Sequence, residues 1–147
     1  MNNSLLKLLY DGMYFSHYKQ VPPEIWQWKN FSPAELCCPC CGEFFLDFGS
    51  MDMLQKARAL DGKPFHLNSA HRCIIHNARV GGAPLSQHKE IAFDIDLYGH
   101  DLGHLLSSLK ESGFSTFGYY STFIHTDKRP GRTWSTKGGC KRWQQWI

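Results

Sequence analysis

The sequence predicts an α+β fold, a small antiparallel sheet with helices packed on it, and three patterns support this prediction. Residues 91–97 alternate apolar and polar side chains, as a strand with one buried face does. Residues 50–62 and 100–113 show the apolar spacing of amphipathic helices. Residues 114–120 and 122–127 are rich in aromatic and β-branched side chains, which predicts a hairpin.

The length and composition indicate a single globular domain over residues 1–147. The chain has 147 residues, 42% hydrophobic and 14% aromatic content, and no repeat or long polar linker. We expect an irregular N-terminal arm to about residue 34, because the paired prolines of VPPE disfavour regular structure. A basic, tryptophan-rich tail follows from about residue 135 to 147.

The two predicted helices have identifiable ends. Ser50 is a plausible N-cap of the first helix, and Gly62 follows its last turn. Gly113 is the expected C′ residue of the second helix. The predicted inner faces consist of apolar side chains at helical spacing: Met53, Leu54, Ala57 and Leu60 in the first, Leu102, Leu105, Leu106 and Leu109 in the second.

Charge and hydropathy exclude two classes of partner. The formal charge of +3 comes from dispersed basic residues, which argues against nucleic acid but is compatible with a polyanionic surface such as a cell wall. No segment approaches the roughly 18 apolar residues of a membrane span. The N-terminal segment has neither the basic region nor the cleavage site of a signal peptide. We therefore expect synthesis in the cytoplasm. We also expect the protein to be a monomer.

Four of the six cysteines lie in the short segment CCPCC, at positions 37, 38, 40 and 41. Without a signal peptide we expect reduced thiols rather than disulfides. C-x-x-C spacing occurs twice, between Cys37 and Cys40 and between Cys38 and Cys41. A structural zinc would need two further ligands beyond either pair. Cys73 and Cys140 form no second pair of this kind, so an apolar turn with partly buried thiols remains the alternative.

Ligand-type residues recur on two predicted strands. Asp94 and Asp96 share one face of the strand at 91–97, opposite its apolar face. His125 and Asp127 likewise lie two residues apart in FIHTD, and His88 precedes the first of these strands. Two histidines with one carboxylate form a common catalytic zinc set that leaves a fourth position open.

The motifs around these residues resemble the zinc-dependent D-Ala-D-Ala carboxypeptidase and endopeptidase family, in its small phage and bacterial branch. The matching segments are SAHR (69–72), HNARVGGAPLSQH (76–88), IAFDI (91–95) and FIHTD (123–127). The resemblance covers about residues 31–134. It implies the fold shared with hedgehog proteins and zinc-dependent hydrolysis of peptidoglycan peptides.

The resemblance also implies roles for individual residues. His88, Asp94 and His125 would bind Zn²⁺, Arg72 would anchor the carboxylate of the substrate peptide, and Ser86 would order the loop that presents His88. Asp127 would serve as the general base or as a partner of a zinc ligand. Glu90 is the other candidate for the base.

Two features depart from the family pattern. Only five residues separate His88 from Asp94, where the family usually has six with a glycine among them. Either the backbone adjusts or metal affinity falls, with Asp96 as the fallback ligand. Thr122 occupies the position where better-known relatives carry a carboxylate.

The sequence therefore predicts a zinc metallopeptidase acting on peptidoglycan stem or cross-bridge peptides, such as a phage-type endolysin. It would act at the cell wall after release or delivery by another system. A cell-wall-binding or virion structural protein that retains the fold without catalysis is the alternative. A small zinc-ribbon interaction module centred on residues 37–41 is a second alternative.

Overall fold

The computed structural model describes residues 3–147 and has an α+β architecture, as the sequence predicts. The α-helices are, in chain order, α1 (Asn3–Tyr10), α2 (Pro33–Leu36), α3 (Phe48–Asp61), α4 (Ile74–Arg79), α5 (Leu102–Glu111) and α6 (Lys137–Trp143). The strands are β1 (Met13–Phe15), β2 (Phe44–Leu46), β3 (Leu67–Ser69), β4 (Phe93–Asp96), β5 (Thr116–Tyr119), β6 (Phe123–Asp127) and β7 (Thr133–Ser135).

The strands form two sheets. β1 and β2 pair antiparallel in the smaller sheet, and the larger sheet has the order β3-β4-β6-β5-β7. The predicted hairpin is present as β5 and β6. All pairs in the larger sheet are antiparallel except β5 with β7, which is parallel and makes the sheet mixed.

One face of the larger sheet belongs to the hydrophobic core. Ile95 of β4 lies opposite Ile124 of β6, and both are fully buried. Helices α3 and α5 pack against each other in this core, and the four leucines predicted for the inner face of α5 are all buried. The opposite face of β4 and β6 carries Asp94 and His125, so the alternation along each strand separates core from candidate site.

Three local features differ from the sequence prediction. Helix α3 begins at Phe48, because the carboxylate of Asp47 accepts the Ser50 N–H and acts as the N-cap in place of Ser50. The N-terminal arm contains α1 and β1, because the apolar edge of β2 offers a partner to the segment before the prolines. Leu60, predicted for the inner face of α3, is exposed, because Asp61 takes the buried position in that turn. Gly62 and Gly113 follow α3 and α5 with positive φ, as predicted.

No helix in the described part of the chain is both long enough and apolar enough to cross a membrane.

Candidate metal centre

The register of the central strands brings two of the predicted ligands together. Asp94 of β4 lies directly opposite His125 of β6. The His125 Nδ1 atom is 3.0 Å from Asp94 Oδ1, and both residues are buried. Residues 31 positions apart therefore meet because cross-strand neighbours on one face of a sheet are in contact.

His88 reaches the same carboxylate from a short 3-10 turn formed by Gln87–Lys89. Its Nε2 atom is 3.1 Å from Asp94 Oδ2. Its Nδ1–H donates to the Ala70 carbonyl at 2.6 Å, which leaves Nε2 as the coordinating nitrogen. The side chain of Ser86 accepts the His88 N–H at 3.2 Å and caps this turn.

The short spacing between His88 and Asp94 does not separate the two side chains. After the 3-10 turn, the Glu90 carbonyl lies against the His71 Nδ1 atom, and Ile91 and Ala92 are fully buried. The connection packs against His71, and the His88 Nε2 atom remains 3.1 Å from Asp94 Oδ2. Asp96 is not part of the cluster, and its carboxylate accepts the Tyr98 N–H at 2.8 Å.

His125 is oriented by a second carboxylate. Its Nε2 atom is 2.7 Å from Asp127 Oδ2, so Nε2–H donates to Asp127 and Nδ1 faces Asp94. Asp127 is fully buried. The Arg129 guanidinium donates to both Asp127 oxygens, at 2.8 Å from Nε and 2.7 Å from Nη2. Such a bidentate pair fixes the carboxylate and, through it, the histidine ring.

The chemistry of this donor set fits a zinc ion. One ligand atom from each of His88, Asp94 and His125 lies within 4.8 Å of the others. Bonds of about 2.0–2.2 Å in a tetrahedral site place ligand atoms roughly 3.4 Å apart, close to the distances described above. Each histidine directs one nitrogen to Asp94 and donates from the other to a fixed acceptor, as zinc-bound histidines do.

The candidate ligands and Asp127 form a network of ion pairs. Burial opposes ionisation of Asp94, but hydrogen bonds from His125 and His88 outweigh it and hold the pKa of the carboxyl well below its usual range. Burial likewise opposes protonation of His125, yet its bonds to Asp127 and Asp94 raise the pKa of the imidazole. Asp127 is buried too, and its bonds to His125 and Arg129 lower its pKa well below the usual range.

The predicted substrate-binding residue Arg72 lies beside the centre. Its Nη2 atom is 3.7 Å from Asp94 Oδ2, and its Nε–H donates to Ser69 Oγ at 3.1 Å. The Arg72 side chain is 18% exposed and lines the cleft described next. Glu90, the alternative base, lines a separate cavity of about 1030 Å³ and accepts a hydrogen bond from Gln87.

The candidate centre lies in a cleft of about 580 Å³ with aromatic and basic walls. The ring of Trp134 lies 5.0 Å from that of His125, and its Nε1–H donates to the Tyr120 hydroxyl. Trp134 can lie this close to the sheet because position 118 is glycine, where a Cβ would come within 2.5 Å of the indole. Among the described residues that line the cleft, Asp94 is the only acidic one.

Sequence reasoning missed several residues that shape the site. Arg129 holds Asp127, His71 links Glu43 to the Glu90 carbonyl, and Arg132 lines the cleft. Arg129 could have been found from its position two residues after Asp127, where a side chain can reach back to a carboxylate. No local pattern identifies His71, because its partners are 28 and 19 residues away.

One comparison with known proteins gave a match. The family model described as Peptidase M15 matches residues 29–127, which include all three candidate ligands, Arg72 and Asp127. The comparison with curated proteins gave no match.

Proposed function

The chain belongs to the Peptidase M15 family of zinc-dependent metallopeptidases, and we propose that it hydrolyses peptide bonds in the stem or cross-bridge peptides of peptidoglycan. The observation that carries the proposal is the convergence of His88, Asp94 and His125 on one side of an open cleft. A carboxypeptidase and an endopeptidase both fit this description.

The chain's own residues prepare the site for a cation. The Ala70 carbonyl accepts a hydrogen bond from His88 Nδ1–H, and the Asp127 carboxylate accepts one from His125 Nε2–H. The nitrogens that face Asp94, His88 Nε2 and His125 Nδ1, are therefore the ones that can coordinate a metal. A zinc ion held there would polarise the scissile carbonyl and lower the pKa of a bound water from about 15.7 toward about 7. Asp94 would supply the negative charge that balances the ion.

Of the two roles predicted for Asp127, we assign it the orienting one. Its carboxylate is fully buried, with Oδ2 on His125 and Oδ1 on Arg129. A general base must reach the water whose proton it takes, and these contacts occupy both oxygens. Glu90 lies in the neighbouring cavity, so its substitution by glutamine tests whether it reaches the proton from there.

Two arginines would hold a substrate carboxylate. Arg72 lies next to Asp94 and would place the peptide end beside the metal. Arg132 lines the same cleft and makes no ion pair with any described residue, so its charge is available to a ligand. Trp134 would pack against the apolar part of the peptide.

The assignment to peptidoglycan is supported by the resemblance of the motifs and by the basic cleft. Stem peptides end in a free carboxylate, which suits a cleft lined by Arg72 and Arg132. An endolysin released into the wall by another system, or an enzyme delivered with a virion, would meet this substrate.

Turnover on purified peptidoglycan tests the proposal. Zinc-loaded protein is expected to release free D-alanine or new amino termini, and chelator-treated protein or His125→Ala is expected to release neither. Bound zinc without any released product would instead favour a wall-binding or virion structural protein that retains the fold. Release of D-alanine alone would identify a carboxypeptidase, and new amino termini within the cross-bridge would identify an endopeptidase.

A further inference from the structure

A second group of potential metal ligands lies apart from the three described above. The sulfur atoms of four cysteines lie within 4.8 Å of one another: Cys38, Cys40, Cys41 and Cys73. The Cys40 sulfur is 3.5 Å from that of Cys38 and 3.5 Å from that of Cys73. All four are free thiols. The fold thus supplies the two ligands that a C-x-x-C pair alone lacks.

The spacing of these sulfurs matches a tetrahedral thiolate site. With Zn–S bonds of about 2.3 Å, the sulfurs of such a site lie roughly 3.8 Å apart. The sulfur–sulfur distances in the cluster include values of 3.5 Å and do not exceed 4.8 Å, so they bracket this value. Small side-chain rotations would therefore suffice for coordination. A disulfide would use only two of the four sulfurs, at about 2.05 Å from each other.

The backbone around the four cysteines is arranged for thiolate ligands. The Gly42 N–H donates to the Cys38 carbonyl at 2.8 Å, which closes a tight turn around Cys40 and Cys41. Gly42 has φ +81°, and a Cβ there would come within 2.5 Å of His17. On the other side of the cluster, the His76 N–H donates to the Cys73 sulfur at 3.3 Å. Such N–H donors stabilise a thiolate.

The two remaining cysteines are excluded from the cluster. Cys37 directs its thiol to the Ala34 carbonyl at 3.2 Å. Cys140 is exposed on α6 and is not in the group. The sulfurs that converge therefore come from two separate segments, three from the turn after α2 and one from the N-cap position of α4.

We propose that this chain binds a second, structural zinc ion through four thiolates, those of Cys38, Cys40, Cys41 and Cys73. All four positions of the ion would be filled by protein, so it would have no catalytic role. It would fix the turn after α2 to the start of α4, where Cys73 directly follows Arg72. The Leu36 carbonyl already accepts the His71 N–H at 3.0 Å across the same junction.

Zinc counting on purified protein tests this proposal independently of hydrolysis. We expect two zinc ions per chain in the wild type and one in each of the single variants Cys73→Ser, Cys38→Ser and His125→Ala. The matched controls Cys37→Ser and Cys140→Ser should keep both ions. A wild-type count of one that falls to zero in His125→Ala would overturn the proposal, and leave the proposed peptidase function intact.

A measurement on the wild type covers the case in which the serine variants fail to fold. Titration of the native protein with a mercurial thiol reagent, in the presence of a chromogenic zinc chelator, should release one zinc as the four cluster thiols react. Cobalt-substituted protein should show the intense thiolate-to-cobalt charge-transfer absorption, and Cys73→His should retain a weakened band. A disulfide between Cys40 and Cys73 in protein prepared under reducing conditions, or no thiolate band, would contradict the proposal.

Discussion

The two ligand clusters of this protein are built in different ways. His88, Asp94 and His125 meet on the face of a sheet, buried and charged, and each histidine is held by a partner outside the cluster. The four cysteines meet between a turn and a helix start, and Cys40 and Cys41 are exposed. The first cluster offers three ligands beside an open cleft, whereas the second offers four.

Under the two proposals, this difference distinguishes a catalytic zinc site from a structural one. A catalytic zinc needs an open position and oriented ligands, which the sheet register and the Asp127–Arg129 pair provide. A structural zinc needs only four protein ligands that fill its coordination sphere. The two clusters adjoin at residues 70–73, where the Ala70 carbonyl holds His88 and Cys73 belongs to the other cluster.

Removal of one ligand from each cluster should give the largest contrast. His125→Ala should reduce hydrolysis of peptidoglycan to the uncatalysed level, because the remaining residues cannot hold the cation. Cys73→Ser should lower the thermal midpoint of unfolding while the folded fraction retains activity. Parallel activity assays and thermal melts check both variants. Full activity in His125→Ala would remove the distinction between the clusters.

Asp127→Asn should have the next largest effect. It removes the charge that orients His125, and loss of such an outer partner typically costs about 10- to 100-fold in metal affinity or activity. Asp96→Asn is the matched control, since Asp96 lies on β4, next to the β6 strand of Asp127, and is outside the cluster. Zinc titration against a competing chelator measures the affinity of both. Equal affinities in the two variants would contradict the orienting role.

The pH dependence of the metal-free protein should reveal the same network. The pKa values of Asp94 and Asp127 are lowered, so their contribution is present above the unfolded value of about 3.9 and is lost as pH falls through the folded values. The pKa of His125 is raised, so its contribution is present below about 6.5 and is lost as pH rises through the folded value.

The difference in the free energy of unfolding between metal-free wild type and Asp127→Asn should therefore be largest between about pH 4 and 6.5. Urea denaturation across this range measures it. The difference should decrease on both sides of the window, and a difference that is constant with pH would argue against ionised Asp127 as the partner of His125.

The smallest effect is expected from Arg132→Ala. Arg132 is exposed, so its pairing with a substrate carboxylate contributes up to about 1 kcal/mol, or roughly fivefold in KM. Peptides with an amidated end should show no such change. Lys137→Ala, at an exposed position outside the cleft lining, is the control. An equal change in KM for free and amidated peptides would exclude carboxylate recognition by Arg132.

Local sequence patterns identified the parts of the fold that depend on local physics. The alternation along residues 91–97 predicted which side of β4 is apolar, and the leucine spacing predicted the buried face of α5. The start of α3 was misplaced because both Asp47 and Ser50 are good N-cap residues, and only the folded chain shows which one accepts the N–H.

The candidate site was predictable where a motif spans neighbouring residues, and less so where contacts are distant. His125 and Asp127 share a strand, so their proximity follows from the period of two. The pairing of Asp94 with His125 depends on strand register, which the sequence alone leaves open. Cys73 lies 33 residues from Cys40 and belongs to no C-x-x-C pair, so its role in the second cluster had no local signal.

The most direct test of the account is a crystal structure with anomalous diffraction at the zinc edge. We expect a peak in the cleft about 2.0–2.2 Å from His88 Nε2, from His125 Nδ1 and from an Asp94 oxygen. The absence of a peak at this position after soaking in excess zinc, with these three side chains apart, would contradict the proposed centre whether or not the cysteine cluster holds an ion.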